Sequence, residues 1–109
     1  MQHPELTEEK WFSLSTAEQL ANVGSEVVRA LNWREKGRLE YADRANLQAL
    51  ELFDLTLRDR KLGPGIKEVA RARELWLDYF LGGNQYHQTG KQWKKYFEAF
   101  TYLARQRHS

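Results

Sequence analysis

The sequence predicts an all-α protein, an antiparallel up-down-up-down four-helix bundle formed by a single domain of residues 1–109, and three observations support this fold. Apolar residues recur at helical spacing in four long segments. Glycine and proline cluster between those segments, and no segment alternates with the period of two that is typical of strands. Because the connections between the segments are short, consecutive helices are expected to be antiparallel neighbours.

Residues 1–14 are predicted to form a lead-in to the bundle. In this segment Thr7 has the position of a cap for a short turn that carries Trp11 and Phe12. The first residues lack the basic and apolar regions of a secretory signal, and no apolar run approaches the ~20 residues of a membrane span. With no cysteine in the chain, these features lead us to expect a cytoplasmic protein.

The first long helix is predicted over residues 15–33. Ser15 and Glu18 have the spacing of a capping box, in which each side chain accepts a hydrogen bond from the other residue's backbone amide. Gly24 costs about 1 kcal/mol in a helix interior, so we interpret it as a point of close contact between helices. The predicted apolar face consists of Leu20, Val23, Val27, Ala30 and Leu31.

The second helix is predicted over residues 38–61 and the third over 66–81, with the glycine–proline stretch 62–65 as the break between them. On a helical wheel both helices are apolar over most of their circumference. Such helices are normally buried on more than one side, so we predict a ring-like homo-oligomer. The predicted interface consists of Leu50, Phe53, Leu57, Leu75, Trp76 and Tyr79.

The fourth helix is predicted over residues 90–106, and Thr89 and Gln92 form a second capping-box pattern at its start. It is expected to be an outer helix that buries one stripe, made of Trp93, Tyr96, Phe97, Phe100, Leu103 and Ala104.

Arg73 falls in the middle of the third helix's apolar surface. A buried guanidinium needs a partner, and Asp54 is roughly level with it in an antiparallel hairpin, so we predict a buried ion pair. Glu26 and Glu51 are alternative partners. Two other interpretations are a side chain that extends to the bundle edge and an anion-binding site.

No catalytic or metal-binding pattern is found, so we predict a non-enzymatic protein without a cofactor. The three histidines, His3, His87 and His108, lie in termini or in a loop, away from the Glu-x-x-His arrangement of di-iron bundles. The polar loop 82–90 contains residues suited to a small pocket, although a solvated connection between helices is the simpler explanation of them.

Charge is distributed unevenly along the chain. Residues 1–55 hold 6 Lys or Arg and 10 Asp or Glu, whereas residues 56–109 hold 11 and 5. Acidic and basic helices facing each other across the bundle account for this asymmetry, and so does a surface for a polyanion. The predicted polyanion-binding residues are Lys91, Lys94, Lys95, Tyr102 and Arg105.

Several segments resemble a family of small, uncharacterised bacterial cytosolic four-helix-bundle proteins that assemble as pentamers. The segments are GSEVVRA at 24–30, LELFDLT at 50–56, RELWLDYF at 73–80, and Trp93 with Tyr96 and Phe97. The family is similar in architecture to ribosomal-RNA intervening-sequence proteins and to the accessory variability proteins of retroelements. The resemblance implies a pentameric bundle, and the second of these groups implies nucleic-acid binding.

Three functions follow as hypotheses. The first is a non-enzymatic oligomeric scaffold or interaction protein. The second is a nucleic-acid-binding accessory protein that uses the basic surface. The third is a bundle that binds a small molecule or anion at Arg73 and the 82–90 loop.

Overall fold

The computed structural model describes residues 7–106, and within that range the protein is all-helical and contains no strand. This confirms the predicted all-α class. Four of the five α-helices are long, and a 3-10 helix, Arg60–Gly65, joins two of them. The α-helices are α1 (Glu8–Phe12), α2 (Thr16–Glu35), α3 (Leu39–Leu57), α4 (Ile66–Phe80) and α5 (Gly90–Gln106). None of the helices described is long and apolar enough to cross a membrane.

The three helix caps predicted from the sequence, at α1, α2 and α5, are confirmed. At α2, Ser15 Oγ accepts from the Glu18 amide at 3.1 Å, and Glu18 Oε1 accepts from the Ser15 amide at 3.0 Å. At α5, Thr89 and Gln92 make the same reciprocal pair at 3.1 and 2.8 Å. Thr7 caps α1 as predicted. Each cap satisfies amides that have no partner inside the helix.

The end of the second predicted helix was placed too late. We predicted helix to residue 61, but α3 ends at Leu57 and the 3-10 helix follows. Asp59 has extended backbone and its side chain accepts from the Lys61 amide at 3.0 Å, which starts a new helical segment. Gly63 then takes a positive φ of 51°, which most other residues avoid, so the chain turns into α4 there.

The core is arranged around α2, which packs against both α3 and α5, while α4 packs against α3. All five residues of the predicted α2 face are buried. Gly24 of α2 lies against Phe97 of α5, which confirms the predicted close helix contact. α5 thus packs its backbone against α2 and not against α4.

Aromatic side chains fill the space between α4 and α5. Trp76 of α4 and Trp93 of α5 meet edge to face with ring centroids 5.5 Å apart, and Phe80 stacks on Trp76 at 5.0 Å. The buried Trp76 indole donates to Asn46 Oδ1 of α3 at 2.7 Å. This contact positions α4 relative to α3 through a satisfied polar group.

α1 is held against the bundle by buried polar contacts. Trp11 Nε1 donates to Thr56 Oγ1 at 3.1 Å, and the Thr56 hydroxyl donates to the Leu52 carbonyl at 2.8 Å. The buried Gln19 amide donates to the Trp11 carbonyl and to Asp59 Oδ2. Lys61 forms an ion pair with Asp59, which also accepts the hydrogen bond from Gln19. The residues that follow α3 therefore help to hold α1 against the core.

Candidate functional site

Two helices expose strips that mix apolar and charged residues. The first, which we name the α3 strip, spans about 80° of the helix circumference. It consists of Leu39, Asp43, Leu47, Leu50 and Asp54. Leu39 and Leu47 are 63% and 54% exposed, unusually high values for leucines in a helix. The α3 strip is therefore apolar surface with carboxylates inside it.

The second strip, which we name the α5 strip, runs along the side of α5 that is next to α4. It consists of Lys95, Tyr96, Ala99, Phe100 and Leu103. Leu103 is 47% exposed, and Tyr96 and Phe100 are half-buried. We predicted that α5 buries its apolar stripe, but only Trp93 and Phe97 of this helix are buried. Because α5 packs on α2, the flank that faces α4 stays partly uncovered.

Two residues of the predicted oligomer interface are wrong, because they are buried inside a single chain. Phe53 and Trp76 are 0% exposed, so both belong to the core of one chain and neither can contact a partner. Phe53 lies against Phe97 of α5, and Trp76 lies against Trp93 of α5 and Asn46 of α3 in the same molecule. The other four predicted interface residues are half-buried, and they are Leu50, Leu57, Leu75 and Tyr79.

A small apolar cleft of about 210 Å³ lies between α4 and α5 beside the α5 strip. Leu75, Trp93 and Tyr96 line it, with Glu68 and Arg71 among its other lining residues. Burial raises the pKa of the Tyr96 phenol, and the Glu68 carboxylate raises it further. The phenol therefore stays neutral at physiological pH.

The predicted polyanion-binding residues divide into two groups. Lys91, Lys95, Tyr102 and Arg105 are all exposed and lie within about 80° of one another around α5. Lys94 instead turns toward Glu35 of α2, with its ammonium nitrogen 3.5 Å from a carboxylate oxygen. The structure thus brings four of the five residues onto one exposed face.

Arg73 and Asp54 meet across a groove between α3 and α4. Arg73 Nε donates to Asp54 Oδ1 at 2.9 Å, so the structure brings the predicted partners together. The pair is not buried as we predicted, because the two side chains are 32% and 46% exposed. The groove has a volume of about 650 Å³, and Lys67 and Leu77 are among its lining residues.

The 82–90 loop does not join Arg73 in one pocket within the described part of the chain, since no loop residue lines the Arg73 groove. Asn84 organises the loop locally. Its amide nitrogen donates to the Gln88 carbonyl at 2.9 Å, and its Oδ1 accepts from the Gln88 amide at 2.8 Å. The Tyr86 ring lies against the Arg71 guanidinium at 4.9 Å. These contacts indicate that the loop has a structural role as the connection between α4 and α5.

Between residues 7 and 106 no group of three or more His, Cys, Asp and Glu side chains is placed to hold a metal ion. His87 lies exposed in the loop with a positive φ of 52°. His3 and His108 lie outside the described residues.

The sequence did not single out Leu39, Leu47 or Ala99, which contribute to the exposed strips. A signal was present, because the two leucines share the helix face of Asp43 and Asp54.

Comparisons with protein-family models, with curated proteins and with solved structures find no match. The family resemblance described from the sequence, with the pentamer it implies, stays a prediction.

Proposed function

We propose that this protein is a non-enzymatic scaffold or interaction protein that associates with further copies of itself. The observation that supports the proposal is the pair of exposed strips on α3 and α5, with Leu39, Leu47 and Leu103 about half exposed or more. Exposed apolar side chains that share one helix face commonly mark interaction surfaces. A ring-like assembly in the cytoplasm is part of the proposal.

The experiment compares the mass in solution of the wild type with that of a variant altered on both strips. Light scattering is expected to give a multiple of the 12.9 kDa chain for the wild type and a single chain for Leu47→Arg combined with Leu103→Arg. A control replaces Leu81, an exposed leucine outside both strips, with Arg, and this variant keeps the wild-type mass. A wild-type mass of 12.9 kDa at micromolar concentration contradicts the proposal.

Nucleic-acid binding is the second candidate function, supported by the exposed basic face of Lys91, Lys95 and Arg105 beside Tyr102. Clustered cations contact phosphates, and an exposed ring can stack on a base. We expect RNA or DNA binding that weakens steeply as salt rises, and that is lost when the three cations are replaced by Ala. A matched control replaces the exposed Lys36 and Arg38 with Ala. Absence of binding at low salt rejects this candidate.

A further inference from the structure

The two strips carry opposite charge. α3 contains four carboxylates and one arginine, and that Arg44 is bonded to Glu40 at 2.8 Å on the same helix. α5 contains four cations and one carboxylate, Glu98. Asp43 and Asp54 lie inside the α3 strip, where Arg73 of α4 already pairs with Asp54, and Lys95 lies inside the α5 strip. The α3 strip therefore combines uncovered apolar side chains with the Asp43 carboxylate, and the α5 strip combines them with the Lys95 ammonium group.

The strips are also separate surfaces. Asp54 of the α3 strip lies at the groove between α3 and α4, whereas Tyr96 of the α5 strip lies at the cleft between α4 and α5. The outer face of α4 is between them, and it exposes charged residues, namely Lys67, Arg71 and Glu74. One copy of the chain therefore presents two distinct surfaces of complementary charge.

The charges of the two strips favour some pairings between copies of the chain over others. If an α3 strip docked on the α3 strip of a second copy, two acidic helices, each with four carboxylates and one arginine, would meet. If an α5 strip docked on another α5 strip, two basic helices, each with four cations and one carboxylate, would meet. Like charges brought together at an interface are destabilising, whereas an acidic strip on a basic strip gains from attraction and covers both sets of apolar side chains.

We propose that copies of this chain associate head to tail, with the α3 strip of one copy docked on the α5 strip of the next. This inference rests on the proposed self-association and specifies its surfaces. An interface of this kind uses different patches on the two partners, so it leaves one free strip at each end. The assembly grows until it closes as a ring or continues as a filament.

Two single variants and their mixture test the arrangement. Leu47→Arg places a cation in the acidic strip, against the basic strip of its neighbour. Leu103→Asp places a carboxylate in the basic strip, against the acidic strip. Both leucines are about half exposed, so we expect both variants to fold, as monitored by circular dichroism and thermal unfolding. Each variant is expected to associate at least about tenfold more weakly than the wild type.

The mixture distinguishes head-to-tail docking from docking of identical strips. Leu47→Arg chains keep an intact α5 strip, and Leu103→Asp chains keep an intact α3 strip, so an equimolar mixture regains complexes that contain both chains. Native mass spectrometry detects these complexes when one variant is labelled with ¹⁵N. Leu81→Arg serves as the control that associates like the wild type.

The charged residues provide a second pair of variants that does not touch apolar packing. Asp43→Lys and Lys95→Glu are both at exposed positions, and each is expected to weaken association alone and to regain it when mixed. The inference is overturned if only one member of a pair loses association, or if both lose it and the mixture stays monomeric. A monomeric wild type instead overturns the proposed self-association, so the two failures are distinguishable.

Discussion

Gly24 of α2 lies directly against the side chain of Phe97 of α5. A Cβ atom at position 24 would lie 2.5 Å from Phe97 Cβ and 2.8 Å from its Cγ, well inside van der Waals contact. The missing side chain therefore lets α5 pack on α2. This contact turns the α5 strip toward α4 and leaves it partly uncovered.

Gly24→Ala is expected to lower the free energy of unfolding by about 1–3 kcal/mol. Alanine gains about 1 kcal/mol in helix propensity, but the overlap with Phe97 outweighs that gain. Chemical denaturation measures the change. Ser25→Ala, at the exposed neighbouring position of the same helix, is the control and is expected to change stability by less than about 0.5 kcal/mol. A stabilised Gly24→Ala variant would contradict the packing described here.

The indole of Trp11 and the hydroxyl of Thr56 hold α1 on the bundle. Thr56→Val keeps the side-chain shape but leaves the buried Trp11 N–H without its acceptor, so we expect a loss of about 1–3 kcal/mol in unfolding free energy. Combining it with Trp11→Phe gives a double-mutant cycle, because the second change also removes the donor. The two losses should be non-additive, and strictly additive losses would show that the hydrogen bond contributes nothing.

Asp59 is expected to make stability depend on pH in the acid range. Burial alone would raise the pKa of its carboxyl, but hydrogen bonds from Lys61 and Gln19 outweigh burial and hold the pKa below its usual value of 3.8. The folded state therefore binds this proton less readily than the unfolded state does. The resulting stabilisation is fully present above the pKa that Asp59 has in the unfolded state. It is lost as the pH falls through the pKa that Asp59 has in the folded state.

Denaturation of the wild type and of Asp59→Asn from pH 7 to pH 2 measures this effect. The stability difference between the two proteins should be constant above about pH 5 and should shrink at lower pH. A difference that does not change with pH would exclude a role for the Asp59 charge.

The Arg73–Asp54 pair is expected to contribute little to the stability of a single chain. Both side chains are partly exposed, and solvent screens ion pairs of this kind, so Asp54→Asn should change the unfolding free energy of the monomer by less than about 1 kcal/mol. The measurement uses a background that carries Leu103→Asp, which keeps the chain monomeric. A loss of about 3 kcal/mol or more would instead indicate a buried pair, as the sequence led us to predict.

Much of the fold is readable from local sequence signals. Ser15 with Glu18 and Thr89 with Gln92 marked two helix starts correctly, because caps depend only on neighbouring residues. The end of α3 was misplaced, because Asp59 starts a new helical segment inside a sequence that otherwise continues the helical pattern.

The candidate surfaces were harder to predict, because a helical wheel shows which sides are apolar but not which neighbour covers them. Phe53 and Trp76 seemed available to a partner, yet both are fully buried, and both contact aromatic residues of α5 in the same chain. Leu103 seemed buried, yet it is about half exposed, since the position of α5 depends on the contact between Gly24 and Phe97.

Sedimentation equilibrium of the wild-type chain over a concentration series tests the central claim of self-association most directly. We predict a mass that rises with concentration to a multiple of the 12.9 kDa chain, and that returns to one chain when Leu47→Arg and Leu103→Arg are combined. A wild-type mass of 12.9 kDa at every concentration would contradict the claim.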